Sequence, residues 1–284
     1  MKLPPFEYAC PTTLAEAVAL LASQNGEAKA IAGGQSLVPM LAFRIAAPTL
    51  LVDLRKLGLN RITIAPDGVR LGAMVRWRDI EDDARLATAH PLLQAAVAHV
   101  AHYQVRNRGT VGGSLAHADP AAEMPGVAVT CEAEIAVKGA SGERTIRAAD
   151  FFLGPLMTAL ASDEIIVEVR LPAWPARRRW GFQEFARRRG DFAMAAAAVF
   201  YDEDESGKAA NAHVGVVGVG DIPQRLPEAE AALNGRTVDA ATIAEAEKAA
   251  ARSVDPQDDI HASAAYRRAL AGTMVERALK NASA

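Results

Sequence analysis

The stretch Ala28-Lys29-Ala30-Ile31-Ala32-Gly33-Gly34-Gln35-Ser36-Leu37-Val38-Pro39-Met40 reads as a short strand, a glycine turn and the opening of a helix. Adjacent glycines reach dihedrals closed to other residues and let several backbone amides converge with no side chain between them. Ser36 then leads a helical turn that tolerates Pro39, because the amide at that position would be unpaired anyway. Oriented amides and the positive end of that turn suit a phosphate or pyrophosphate. Taken alone, Gly33-Gly34 is better explained as a tight strand-to-helix turn, since glycines mark turns far more often than ligands.

Working outward, residues 11–26 predict an amphipathic helix: Thr13 and Glu16 form a capping box, Leu14, Val18 and Leu21 share a face, and Gly26 stops it. Downstream come an apolar strand at 50–53, a hairpin across Pro66-Asp67-Gly68, helices near 77–87 and 91–101, a helix at 120–129, and strands at 131–138, 144–147 and 164–171. Pro172 to Pro175, followed by Arg177-Arg178-Arg179, reads as a linker. Beyond it, 180–187, 195–201 and 209–217 predict three sequential antiparallel strands, and 227–233, 239–252 and 263–280 predict three helices. The fold class expected is α+β, with three units at residues 1–56, 57–175 and 176–284.

Half of the 284 residues are hydrophobic, enough for a substantial core. The formal charge of -3 offers no general attraction to nucleic acid or to anionic membranes. Met1 to Pro5 is followed by no apolar leader segment, and no run approaches the roughly 18 apolar residues of a membrane span, so the expectation is a cytoplasmic protein without a span. Cys10 and Cys131 are too few to hold an iron–sulfur cluster within the chain. His99 and His102 lack a further ligand at zinc spacing. Gly215, Gly218 and Gly220 end a strand but are followed by Asp221-Ile222-Pro223 rather than a helix, so they do not make a Rossmann pyrophosphate site.

A second loop, Arg106-Asn107-Arg108-Gly109-Thr110-Val111-Gly112-Gly113-Ser114-Leu115-Ala116-His117-Ala118-Asp119-Pro120-Ala121-Ala122-Glu123-Met124-Pro125, crowds small and polar residues together. Its glycines allow close backbone approach. Thr110 and Ser114 offer hydroxyls, and Asp119 and Glu123 offer acceptors for ribose hydroxyls. A glycine-rich turn capped by Asp119-Pro120 explains the glycines but not the whole polar set.

Together the two loops resemble the FAD-binding medium subunit of molybdenum hydroxylases, the family of aerobic carbon monoxide dehydrogenase and xanthine dehydrogenase. The likeness rests on Ala32 to Met40 with Arg44, on Arg106 to Pro125, and on Arg188-Arg189-Gly190-Asp191-Phe192-Ala193. It implies a two-subdomain α/β FAD-binding domain of the vanillyl-alcohol-oxidase (PCMH-like) type, followed by a C-terminal domain of a three-stranded antiparallel sheet with helices. By that resemblance Ala32, Gly33, Gly34, Gln35, Ser36 and Leu37 cradle the FAD pyrophosphate. Thr110, Gly112, Gly113 and Ser114 contact the flavin side, His117 lies in the lining, and Glu123 accepts from the adenosine ribose. Leu160 and Gln183 match cofactor-contacting positions, with Gln183 where xanthine dehydrogenase has Lys, and Phe192 covers one flavin face.

The resemblance also implies partners: a small subunit with 2Fe-2S clusters and a large molybdopterin subunit, assembled as a dimer of heterotrimers. Electrons would reach FAD from those clusters and pass to NAD, a quinone or oxygen. The chain lacks the cysteine-bearing insertion of 4-hydroxybenzoyl-CoA reductase, which disfavours that activity. Two other readings stand beside this one: a stand-alone FAD oxidoreductase of related fold, and a non-catalytic nucleotide-binding module. Arg177–Arg179 and Arg187–Arg189 are open to two readings, as docking sites or as solvated surface.

Overall fold

The computed structural model describes residues 2–283. The chain opens with β1 (Glu7–Ala9), α1 (Leu14–Ser23), β2 (Ala28–Ile31), α2 (Leu37–Ala42) and β3 (Leu50–Asp53). These strands form a parallel sheet in the order β1-β3-β2, and β3, whose four residues are all buried, occupies its centre. Parallel pairing here requires a crossover, which α1 supplies by burying Ala17, Val18 and Leu21. The Thr13 hydroxyl accepts from the Glu16 amide at 3.2 Å, the first half of the predicted capping box, but the Glu16 carboxylate accepts from the Thr12 amide at 3.1 Å rather than from that of Thr13, so the reciprocal bond falls one residue early. The helix is shorter than expected, stopping ahead of Asn25 and Gly26 with φ of 47° and 93°.

The middle of the chain comprises β4 (Ile62–Ala65), β5 (Gly68–Gly72), α3 (Trp77–Asp82), α4 (Leu86–Ala89), α5 (Pro91–Val97), α6 (Tyr103–Arg106), α7 (Val111–His117), α8 (Glu123–Thr130), β6 (Glu134–Gly139), β7 (Gly142–Arg147), α9 (Ala148–Phe151), β8 (Phe152–Gly154), β9 (Met157–Thr158) and β10 (Ile165–Pro172). Its main sheet is antiparallel in the order β4-β5-β10-β6-β7, and β8 pairs with β9 as a separate hairpin. The segment from 111 to 117, expected as loop, is helical: the Thr110 hydroxyl accepts the Gly113 amide at 3.1 Å and starts the helix. The helix expected at 120–129 begins instead at Glu123, because Asp119 accepts from the Ala121 and Ala122 amides and holds 120–122 in a turn.

The last third contains β11 (Arg178–Phe185), β12 (Ala195–Glu203), β13 (Ala209–Val217), β14 (Gln224–Arg225), α10 (Pro227–Leu233), α11 (Ala240–Ser253) and α12 (Ala264–Ala282). The sheet has four strands in the order β11-β12-β13-β14, not three. The extra strand is two residues long, too short for any alternation to mark it. Arg178 is a structural arginine: it makes hydrogen bonds of 2.8 and 2.9 Å to Asp202 and lies over the rings of Trp174 and Phe200.

Helix α8 joins the two halves. All eight of its residues are buried. Gly215 lies so close to Thr130 that a Cβ there would overlap the threonine hydroxyl, and Gly126 packs likewise on Val217. The Gly218 amide donates to Pro120 at 2.9 Å, and His213 Nδ1 lies 2.7 Å from the Thr130 carbonyl oxygen. Among the described residues no helix is long and apolar enough to cross a membrane.

Candidate functional site

The two glycine loops meet. A Cβ on Gly33 would collide with the Arg108 carbonyl oxygen, and one on Gly113 would come within 3.8 Å of the Ala32 methyl group. The first loop leaves the carboxyl end of β2 in a parallel sheet, the usual place for a crevice in such sheets. The crevice here has a volume of about 380 Å³ and is lined by Ala32 to Gln35, Val38 and Pro39, with Arg55 and Arg108.

Its chemistry is that of an anion receptor. Among the described residues the amides of Gly33, Gly34, Gln35, Ser36 and Leu37 donate to no protein acceptor, and the Ser36 hydroxyl does not cap α2. Gly34 takes φ of 73°, open to glycine without strain, which turns the run of amides into a concave row. The two lining side chains that carry charge are both arginines. Arg55 is aimed by Asp53, which is 1 % exposed and accepts its Nε at 2.6 Å and the Tyr8 hydroxyl at 2.7 Å. Burial pushes the Asp53 carboxyl up, but the hydrogen bonds from Arg55 and Tyr8 outweigh it and hold the group below its usual range. The Tyr8 hydroxyl, donating to that carboxylate, is pushed up to about 12. A diphosphate fits this set of donors.

In the second loop the glycines do different work. Gly112 is buried, its amide donates to the Ala73 carbonyl at 2.9 Å, and a Cβ on it would lie 2.6 Å from the Ala73 methyl. It spaces α7 against β5. Gly109 allows the Trp77 ring to approach, and Thr110 is the helix cap. Gly113 and Ser114 remain half-buried on the α7 surface nearest the first loop, and His117 occupies the last turn. The helix ends at Ala118 in the left-handed region, φ 52°, and its carbonyl accepts the Leu156 amide at 3.0 Å. That bond brings the β8–β9 hairpin, and Leu160 just after it, up to the second loop.

Glu123, 6 % exposed, opens α8, and burial pushes its carboxyl up to about 7 with help from the nearby Asp119 charge. Phe192 is 61 % exposed on the connection between β11 and β12. That connection leans on the second loop's approach: Gly190, φ 89°, packs so closely on His102 and the Ala101 carbonyl that no side chain fits. Gln183 is set apart. Its cross-strand partner is Ala197, which belongs to the core under the C-terminal helices, so strand alternation turns Gln183 away from both loops. Sequence reasoning missed Arg55 and quoted Arg108 without a role. The available signal was a charged pair, Asp53 and Arg55, at the end of a fully apolar strand.

A parallel sheet with a phosphate-type crevice at the carboxyl end of β2, followed by two α+β units packed on the wholly buried α8, is the framework of a dinucleotide-binding protein. Residues 4–174 match the FAD binding domain in molybdopterin dehydrogenase, and residues 180–282 match the CO dehydrogenase flavoprotein C-terminal domain. The chain is 42% identical over 285 residues to the nicotine 6-hydroxylase medium subunit of Paenarthrobacter nicotinovorans, covering 100% of this chain and 99% of that one. In structure it is similar to carbon monoxide dehydrogenase from Hydrogenophaga pseudoflava, with a TM-score of 0.96 and 37% identity over 99% of this chain and 98% of that one. It is likewise similar to quinoline 2-oxidoreductase from Pseudomonas putida 86, with a TM-score of 0.94 and 39% identity over 100% of this chain and 98% of that one. The chain therefore belongs to the family of FAD-carrying medium subunits of molybdenum hydroxylases.

Proposed function

We propose that the chain holds FAD across the crevice between its two loops, as the cytoplasmic electron outlet of a heteromeric molybdenum hydroxylase. The observation that carries this reading is the row of five amides from Gly33 to Leu37 that have no protein acceptor among the described residues, with Gly33, Gly34 and Gln35 lining one crevice together with Arg55 and Arg108. They hold the pyrophosphate, with Ala32 as the floor. Thr110, Gly113, Ser114 and His117 border the flavin half, Leu160 and the exposed ring of Phe192 shield it from water, and Glu123 takes the adenosine ribose. Gly112 acts indirectly, by setting how far α7 reaches toward the cofactor. When bound, the isoalloxazine would supply the redox chemistry that links one-electron 2Fe-2S clusters on a small subunit to NAD, a quinone or oxygen.

No residue of this chain is assigned as acid, base or nucleophile, because the protein's part is to bind, orient and exclude solvent. Substrate oxidation belongs to a molybdopterin-bearing large subunit, and the assembly is read as a dimer of heterotrimers. The three sequence units 1–56, 57–175 and 176–284 correspond in this reading to two FAD-binding subdomains of the PCMH type and a domain that carries Phe192. The purified chain is expected to be yellow, to release FAD on denaturation and to oxidise no organic substrate unaided. A correctly folded, colourless chain that takes up no added FAD overturns the reading, and turnover by the isolated chain favours a stand-alone flavoenzyme.

A further inference from the structure

The two carboxylate oxygens of Asp53 have different tasks. Oδ1 accepts the Arg55 amide at 2.9 Å and caps the short 3-10 turn Leu54–Lys56. Oδ2 takes no part in that cap, yet it accepts three donors: the Tyr8 hydroxyl at 2.7 Å, Arg55 Nε at 2.6 Å and Arg55 Nη2 at 2.5 Å. Strand register brings these groups together. Leu50 and Val52 belong to the core with α1, so alternation puts Leu51 and Asp53 on the opposite face of β3. Tyr8 pairs with Leu51 and Ile31 with Asp53, which places both on that face, and Ile31 lines the crevice.

A guanidinium has five N–H donors. With Nε–H and one Nη2–H on Asp53, three remain, and Arg55 lines the crevice in that held position. Its side chain is 61 % exposed, so without the carboxylate it would sample many rotamers. A donor already fixed where its ligand arrives loses less freedom on binding. The carboxylate also acts in the opposite direction. It neutralises Arg55, so the pair brings no net charge to a bound phosphate, whereas Arg108 has no acidic partner among the described residues.

We propose that Tyr8 and Asp53 are positioning residues, which hold the Arg55 fork at the crevice as a directed donor to the cofactor's diphosphate; Arg55 thus acts by geometry where Arg108 acts by charge. This rests on the flavin reading above, and the test separates the two. In the native complex stripped of flavin, FAD uptake is titrated for three variants. Asp53→Asn keeps the cap oxygen, removes a negative charge beside the diphosphate and loosens Arg55. Positioning requires FAD binding to weaken, by about threefold to tenfold, whereas an arginine acting only as a charge would bind FAD more tightly. Tyr8→Phe alters no charge on a ring that is 54 % exposed, and should weaken FAD about threefold. Arg55→Lys, which keeps the charge without the fork, should weaken it about tenfold. In each variant ADP should lose its advantage over adenosine as a competitor of FAD uptake by a similar factor, a readout that general loosening of the loops would leave unmoved. Unchanged or tighter FAD binding in any of the three, equal losses for ADP and adenosine, or no ADP advantage in the parent complex overturns the positioning role. If Asp53→Asn does not fold, Tyr8→Phe and Arg55→Lys decide it. Failure of the parent complex to take up FAD at all overturns the flavin reading itself.

Discussion

The two glycine loops look alike in sequence and differ in what their glycines are for. In the first, Gly34 shapes an open row of amides that find no protein partner among the described residues, and Gly33 lets the loop touch the backbone of the second. In the second, Gly109 and Gly112 are spacers inside the protein, packed on Trp77 and Ala73, and the amide of Gly112 is already bonded. One loop leaves its polar backbone unpaired, while the other uses its own to hold a short helix in place. A glycine motif thus divides into positions where a side chain would block the ligand and positions where it would push apart two elements that frame the ligand.

Substitutions can separate these roles. The largest effect is expected from Gly33→Val, which forces the loops apart: FAD affinity should fall by roughly a hundredfold, equivalent to about 3 kcal/mol, measured by flavin titration. Gly112→Val should act first on stability, lowering that of the flavin-free protein by about 1–3 kcal/mol in chemical denaturation through overpacking on Ala73. If Gly112→Val instead spares stability and removes only flavin, the division between the loops fails. Arg108→Met should weaken FAD about tenfold and flatten the salt dependence of binding, because a charged donor to the phosphates is lost.

Thr110→Ala should cost about 1 kcal/mol through the missing cap, and Thr110→Ser should restore it. The same cap sharpens Gly113→Val. A Cβ at Gly113 meets Thr110 Oγ1 at 2.7 Å, so that variant should lose helix start and flavin together. The shallowest test is pH. Glu123 and Glu184 are raised to about 7 and about 8 in the folded chain, so their stabilising contribution is present below the ordinary carboxylate range and is lost as pH rises through those values. The melting temperature of the flavin-free protein should therefore decline from pH 6 to 9, and Glu184→Gln should remove the upper part of the decline.

Much of this was legible in the sequence where burial is one-sided. β12 and β13 and the three C-terminal helices carry their alternation or their apolar stripe openly, and all five lie within two residues of the spans expected. The first loop was readable because a strand runs straight into it. β1 was not, being three residues long and mostly exposed at a sheet edge. Nor was α7, whose helix depends on one threonine cap and on packing that glycines permit, while the glycines themselves signal loop. The β8–β9 hairpin is similarly hidden, because its exposed Leu153, Leu156 and Met157 break the usual pattern. Position 184 escaped notice for another reason: only the register shows that Gln183 is turned toward the C-terminal core and Glu184 toward the core of the five-stranded sheet.

Helix α8 has one more consequence, for how the molecule comes apart. A helix with no solvent-facing side belongs to both of the units it touches, so the division near residue 175, clear in family matching, is not a line along which the chain can be cut and refolded. A fragment ending there would expose a greasy flank and aggregate, and the intact chain should melt in a single calorimetric transition rather than two.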